Sequence, residues 1–229
     1  MSKMIVLILL VVFFCGCGNN EDAALKKKLA AEVADIYKDM EVIRTFGLKN
    51  IKDPEMKLMF SFYMGKELMR RASDLAYAPE YLTDERKEYF KKELKEINEL
   101  NLICFKKVYD NRTQLTGNNR NILSDLYYFT GIVKNRLKEN SKPWFEMAVK
   151  AYEAQDKVTP TVELRKRIAD CYLKLGYSCE FLHEYQEALV YFKKYQALYP
   201  SSFNEFNGQD HINRIQQKIK TKNTVKKEK

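Results

Sequence analysis

The side chains that could do chemistry in this sequence are five cysteines and two histidines. His183 and His211 have no cysteine or further histidine at ligand spacing, so we expect no metal site. The sequence contains no G-x-S-x-G elbow, phosphate loop, H-E-x-x-H or CxxC motif. We therefore predict no catalytic residues, no cofactor and no small-molecule substrate, although a pair of carboxylates could still act as in a glycosidase.

Two of the cysteines, Cys15 and Cys17, follow the most apolar run of the chain. Residues 4–14 read MIVLILLVVFF, with Lys3 before the run and Gly16 after Cys15. A membrane-spanning helix needs roughly 20 apolar residues, and this run has about half of that. A charged start, a short apolar core and a small-residue exit are typical of a secretory signal peptide.

The segment Phe14-Cys15-Gly16-Cys17 resembles the lipobox of bacterial lipoprotein signal peptides, in which a small residue precedes an acylated cysteine. The resemblance implies cleavage after Gly16 and lipidation of Cys17 by acyl chains such as palmitate. It also implies export and anchoring in the lipid bilayer of the cell membrane or outer membrane. The alternatives are an uncleaved short anchor and an apolar N-terminus packed into the fold.

The other three cysteines, Cys104, Cys171 and Cys179, are expected to lie on apolar helical faces as small buried side chains. Cys171 and Cys179 lie eight residues apart in one predicted helix, or about 12 Å at 1.5 Å per residue. That separation is too long for a disulfide. We therefore predict that no intramolecular disulfide forms.

The formal net charge of +9 is concentrated at the C-terminus, where residues 218–229 read KIKTKNTVKKEK. A basic segment without aromatic residues is typical of solvated disorder. The alternative is contact with anionic lipid or another acidic polymer of the cell envelope. Binding to nucleic acid is not expected, because an exported protein rarely meets any.

The rest of the chain reads as helix, since glycine and proline are scarce and no segment alternates with period two. Helices are predicted over 22–46, from Asp53-Pro54 to about 77, and from Thr83 or Asp84 onward. Further helices are predicted after residues 116–121, near Pro143 and Pro160, over 185–199, and after Ser202 or Asp210. Short loops between them predict an all-α fold of antiparallel helix pairs, either a bundle or an α-solenoid.

Residues 169–200 resemble a tetratricopeptide (TPR) repeat without a gap, and EYQEALVYFKKYQALYPSS also resembles repeats in the TPR lipoprotein of the outer-membrane β-barrel assembly machinery. The matching residues are Tyr172, Leu175, Gly176, Tyr185, Ala188, Phe192 and Pro200. A weaker copy is formed by Tyr127, Gly131, Ala148, Tyr152 and Pro160. The resemblance implies a TPR-like α-solenoid, with a possible bundle in the N-terminal helices, where no repeat is evident.

In TPR proteins, one side of the first helix of each repeat faces a concave groove that binds a partner. The corresponding positions here are Asp170, Leu173, Tyr177, Glu180 and Phe181, and in the weaker copy Asp125, Tyr128 and Ile132. Leu173, Tyr177 and Phe181 form an apolar stripe at helical spacing. The alternative reading is that this stripe packs against neighbouring helices.

These observations predict a membrane-anchored lipoprotein that acts as a scaffold for another envelope protein or peptide. The alternative is a structural tether that binds an acidic or cell-wall polymer through its lysines. The expected divisions are residues 1–16, a signal peptide; 17–21, a tether; 22–110, a helical region; 111–222, TPR-like repeats; and 223–229, a basic disordered tail.

Overall fold

The computed structural model describes residues 44–45, 48–76, 84–201 and 208–227. The predicted signal peptide, Cys17, the tether and nearly all of the predicted helix at 22–46 lie outside these residues. Thr83 and Ser202, two of the suggested helix caps, also lie outside them. No helix in the described part of the chain is both long enough and apolar enough to cross a membrane.

The described residues are almost entirely helical and contain no strand, which confirms the all-α fold. The α-helices are α1 (Pro54–Ala76), α2 (Asp84–Asp110), α3 (Ile122–Arg136), α4 (Lys142–Val158), α5 (Val162–Phe181), α6 (Tyr185–Leu198) and α7 (Gly208–Lys227). Short 3-10 turns at Arg112–Gln114 and Gly117–Asn121 connect α2 to α3.

Side-chain caps fix where two of the helices begin. The carboxylate of Asp53 accepts a hydrogen bond from the Met56 amide at 2.7 Å, as predicted from Asp53-Pro54. The Thr161 hydroxyl accepts one from the Leu164 amide at 3.1 Å and caps α5, which begins two residues after Pro160. The Asp53 bond confirms the cap predicted for α1, and α5 begins close to Pro160, as the sequence predicted.

Helices α3 and α5 end in the same way, on a residue with positive φ. Lys138 has φ 59° and His183 has φ 60°, in the left-handed region that glycine usually occupies. The Glu139 amide bonds the Lys134 carbonyl and the Glu184 amide bonds the Cys179 carbonyl, each at 2.8 Å. This backbone motif reverses the chain, so that α4 and α6 can return along α3 and α5.

Each helix packs against the next helix in the chain, and α1 also contacts α3. Antiparallel packing is visible in α3 and α4, because Gly131 faces Phe145 whereas the earlier Asp125 bonds the later Tyr152. This order of contacts is compatible with a solenoid. The solenoid arrangement itself stays a prediction.

A glycine beneath a phenylalanine ring recurs in three helix pairs. A Cβ added at Gly176 would lie 2.7 Å from the Phe192 ring, and one added at Gly131 would lie 2.8 Å from the Phe145 ring. A Cβ on Gly65 of α1 would lie closer still to Phe105 of α2. The α1–α2 pair, in which no repeat was evident, therefore shares the packing feature of the other two pairs.

In the weaker repeat copy, the ring that covers Gly131 is that of Phe145, two turns before Tyr152 in α4. Tyr152 instead donates a hydrogen bond to Asp125. The Gly131–Phe145 spacing is shorter than the Gly176–Phe192 spacing, so the covering ring is at a different distance along the chain in the two pairs.

The core is apolar and contains the cysteines. Cys104, Cys171 and Cys179 are buried, and the last two lie in α5. Burial raises the pKa of the Cys179 thiol to about 12, and it also raises the pKa of Cys171. These environments confirm the role of all three as small buried side chains.

At the C-terminus, α7 extends to Lys227, so the described part of the segment 223–229, which was expected to be disordered, is helical. Ile212 and Ile215 of α7 are buried in the core. These two side chains anchor the first half of the helix, and Lys218 and Lys222 of its second half also contact the rest of the protein.

Candidate functional site

The eight residues predicted to line a groove lie on α3 and α5, the first helices of two successive pairs. Asp125, Tyr128 and Ile132 are on α3, and Asp170, Leu173, Tyr177, Glu180 and Phe181 are on α5. The structure divides them into three groups with different surroundings: a polar cluster, a pair of side chains in contact with α7, and an apolar group.

The polar cluster joins α3 to α4 and α5 through two tyrosines. The Tyr128 hydroxyl donates a hydrogen bond to Asp170, and the Tyr152 hydroxyl donates one to Asp125 at 2.5 Å. Burial raises the pKa of both tyrosines, and the adjacent carboxylates raise it further. Both hydroxyls therefore stay protonated and act as fixed donors that hold the helices together.

Basic side chains lie beside this cluster. The Lys66 ammonium of α1 lies 3.9 Å from an Asp125 oxygen and 5.4 Å from the centre of the Phe129 ring. The Arg167 guanidinium lies 5.7 Å from the centre of the Tyr128 ring. Cations over aromatic faces are attracted by the ring quadrupole. Asp125, Tyr128 and Asp170 thus contribute mainly to packing between helices.

Tyr177 and Glu180 are in contact with the C-terminal helix. The Tyr177 ring meets the rings of Phe192 and His211 edge-on, each with centroids 5.3 Å apart. Glu180 accepts hydrogen bonds from Arg214 at 2.7 Å and from Lys218 at 2.8 Å. Helix α7 therefore covers this end of the predicted groove.

The electrostatic consequence is clearest at Glu180. Burial alone would raise the pKa of this carboxyl, but the hydrogen bonds and positive charges of Lys218 and Arg214 more than offset it, and the pKa is lowered. Glu180 therefore stays ionised in mildly acidic solution and holds the two basic side chains of α7.

The apolar group remains accessible. Phe181 is 57% exposed at the C-terminal end of α5, whereas Leu173 and Ile132 are half-buried against the core. Large exposed aromatic side chains are typical of positions where a partner binds. Of the eight predicted residues, these three offer the best surface to a second molecule.

Sequence reasoning missed several contacts that position these helices. Arg136 of α3 donates a hydrogen bond to the Ser73 hydroxyl of α1 at 2.7 Å. Glu55 accepts hydrogen bonds from the Thr116 amide at 2.7 Å and from Asn119 at 3.0 Å, which fixes the connection before α3. Each joins residues more than sixty positions apart, and no local pattern marks such pairs.

A possible cation site lies at the start of α6, where Cys179, Glu184 and Glu187 each offer a ligand atom within 4.8 Å of the others. The Lys142 ammonium lies 2.6 Å from an oxygen of each glutamate. These contacts raise the pKa of Lys142 despite its burial, so it stays charged. The site already has its own cation, and the arrangement is structural.

An open cleft of about 340 Å³ lies between the start of α6 and α7. Its lining includes His183, whose ring nitrogen Nδ1 is 2.9 Å from the Tyr185 hydroxyl, and Lys222. Lys222 also hydrogen-bonds the His183 carbonyl at 3.3 Å, so this lining is tied to α7.

No protein-family model matches the sequence, and no curated protein matches it either.

Proposed function

We propose that this protein is a lipid-anchored scaffold of the bacterial cell envelope that binds another envelope protein or peptide. The anchor is the acylated Cys17, and the binding surface is centred on Phe181 and includes the half-buried Leu173 of the same helix and Ile132 of α3. We define these three residues as the α3–α5 surface. The TPR-like arrangement of the helices as a solenoid belongs to the same proposal.

The observation that carries the proposal is the exposure of Phe181. An isolated exposed aliphatic residue needs no explanation, but a large aromatic side chain that is more than half exposed favours a binding surface. Contact with a partner would remove the Phe181 ring from water and would contribute roughly 25 cal/mol for each Å² of apolar area buried.

The alternative function, a tether to an acidic polymer through the C-terminal lysines, has weaker support. Lys218 bonds Glu180 and lies 5.5 Å from the Tyr185 ring, and Lys222 lies 5.6 Å from the same ring. Their charge is partly directed toward the body of the protein. Salt-sensitive binding to an acidic polymer that is lost on removing residues 218–229 would favour the tether.

The proposal is tested by photo-crosslinking in intact cells. A photoreactive phenylalanine analogue placed at position 181 should form a defined protein adduct, whereas the same analogue at Val190 on α6 should not. Val190 is a matched control because it is 52% exposed, close to the value for Phe181. Equal labelling at both positions, or none at 181, would contradict the proposed surface.

Specificity is tested by a second substitution on the same surface. Leu173→Glu adds a charge to the α3–α5 surface and should abolish the adduct at position 181. The melting temperature of this variant must be measured alongside, because Leu173 also contacts the core. An adduct that persists in a folded Leu173→Glu protein would place the binding surface elsewhere.

A further inference from the structure

His211 occupies the contact between α7 and the rest of the protein. Its ring stacks on Phe192 of α6 with centroids 5.9 Å apart and meets the Tyr177 ring of α5 edge-on at 5.3 Å. Both ring nitrogens have polar neighbours. Nε2 is 3.2 Å from the Tyr177 hydroxyl, and Nδ1 is 3.0 Å from Nη2 of Arg214.

These two contacts determine the protonation state that fits. An arginine side chain can only donate hydrogen bonds, so Nδ1 of His211 must accept. The proton of the neutral ring is then on Nε2, which donates to the Tyr177 hydroxyl. A second proton would have to be placed on Nδ1, where it would face the N–H groups and the positive charge of Arg214.

The surroundings of His211 shift its pKa in opposite directions. Burial lowers the pKa of His211 and the charge of Arg214 lowers it further, whereas Glu180 on α5 and Asp210 on α7 raise it. The result is a pKa below 6.5. Phe192, the stacking partner on α6, carries no charge.

We propose that His211 is a pH-sensitive latch, whose protonation loosens α7 and uncovers the end of the groove that contains Tyr177 and Glu180. The uncovered face adjoins Phe181 in the chain, so the latch would enlarge the proposed binding surface. The latch does not depend on that proposed function, because its test measures the attachment of α7 and not the capture of a partner.

The direction of the effect follows from linkage. Because the His211 pKa is lower in the attached state than in the released state, protons bind the released state more tightly. Attachment is therefore strongest above about pH 6.5 and weakens as the pH falls toward the lowered pKa. Each unit of pKa difference changes the ratio of released to attached α7 by about tenfold. Glu180 stays ionised over this range, because its own pKa is lowered.

Hydrogen exchange of the full chain tests whether α7 is released at low pH. Amide exchange should be measured at pH 7.5 and pH 5.5 and corrected for the intrinsic pH dependence of exchange. Protection of residues 212–219 in α7 should fall severalfold at pH 5.5, while protection of α3 stays constant. Unchanged protection of α7, or an equal loss in α3, would overturn the latch.

His211→Gln is the matched variant, because glutamine offers one donor and one acceptor and does not titrate. Its α7 should stay protected at both pH values, and a drop at pH 5.5 equal to that of the parent would overturn the proposal.

If His211→Gln releases α7 at both pH values, an NMR titration decides. The chain has two histidines, so His183→Gln assigns the His211 signal. The His211 midpoint should lie below 6.5 and should rise in Arg214→Gln. A midpoint above 6.5, or one that does not rise, would overturn the latch.

Discussion

Replacing Gly176 with alanine tests the packing feature that three helix pairs share. The new methyl group would lie 2.7 Å from one carbon of the Phe192 ring and 2.9 Å from two others. Carbon atoms in contact prefer about 3.5–4.0 Å. Phe192 is only 1% exposed, so its ring has little room to move away.

The expected change in stability is the difference of two opposing effects. Overpacking a well-packed core typically costs about 1–3 kcal/mol. Alanine in a helix interior is more favourable than glycine by about 0.8–1.0 kcal/mol. Gly176→Ala should therefore lower the free energy of unfolding by about 1 kcal/mol, within a range of about 0–2 kcal/mol.

Making the same substitution in a Phe192→Leu variant tests whether the Phe192 ring causes the loss of stability. In Phe192→Leu the ring atoms that cause the overlap are gone, so the same Gly176→Ala change should stabilise the protein by up to about 1 kcal/mol. The four proteins form a double-mutant cycle that urea unfolding can measure. If Gly176→Ala has the same sign and size in both backgrounds, the close approach of this helix pair is not as described.

Four further predictions concern the groove, the anchor and the C-terminus. Tyr177→Ala should lower the free energy of unfolding by about 2 kcal/mol, because it removes two aromatic contacts. Phe181→Ala should lower the free energy of unfolding by less than about 1 kcal/mol, because the Phe181 ring is largely in water. Equal losses of stability in the two variants, measured by thermal unfolding, would contradict the finding that Tyr177 is covered and Phe181 is exposed. Cys17→Ser should abolish incorporation of a fatty-acid analogue, and label that persists would exclude Cys17 as the acceptor. A chain ending at Thr221 should melt within about two degrees of the parent, because the contacts of Lys222 are at the surface; a larger drop would mean that the end of α7 packs.

Helix boundaries were predictable wherever a local bond sets them. Asp53 was predicted as a cap and bonds the amide three residues ahead. Thr161 makes the same kind of bond next to Pro160, where the sequence predicted a helix start but no particular cap. The ends of α3 and α5 were less visible, because Lys138 and His183 adopt positive φ at positions where glycine would have been the usual signal.

The candidate groove was predictable only as a set of residues on two helices. Helical spacing places Leu173, Tyr177 and Phe181 on one side of α5, but it does not say what covers them. Tyr177 is covered by a helix that begins more than thirty residues later, whereas Phe181 is exposed. The side of α5 that α7 meets depends on the path of the chain after α6, and no local pattern records that path.

The sequence by itself determined the all-α fold, the cap of α1, the start of α5 near Pro160, the burial of the three helical cysteines and the close pairing of α5 with α6. Each rests on spacings within one helix or between two consecutive helices. Only the tertiary structure decided that Phe145 covers Gly131, that Phe105 covers Gly65, and that α7 covers Tyr177. The physical reason is that side chains pack against the surface that is near them in space, whatever their separation along the sequence. The glycine and its ring are 40 residues apart in α1–α2 and 14 apart in α3–α4, so no fixed period reveals the pairing.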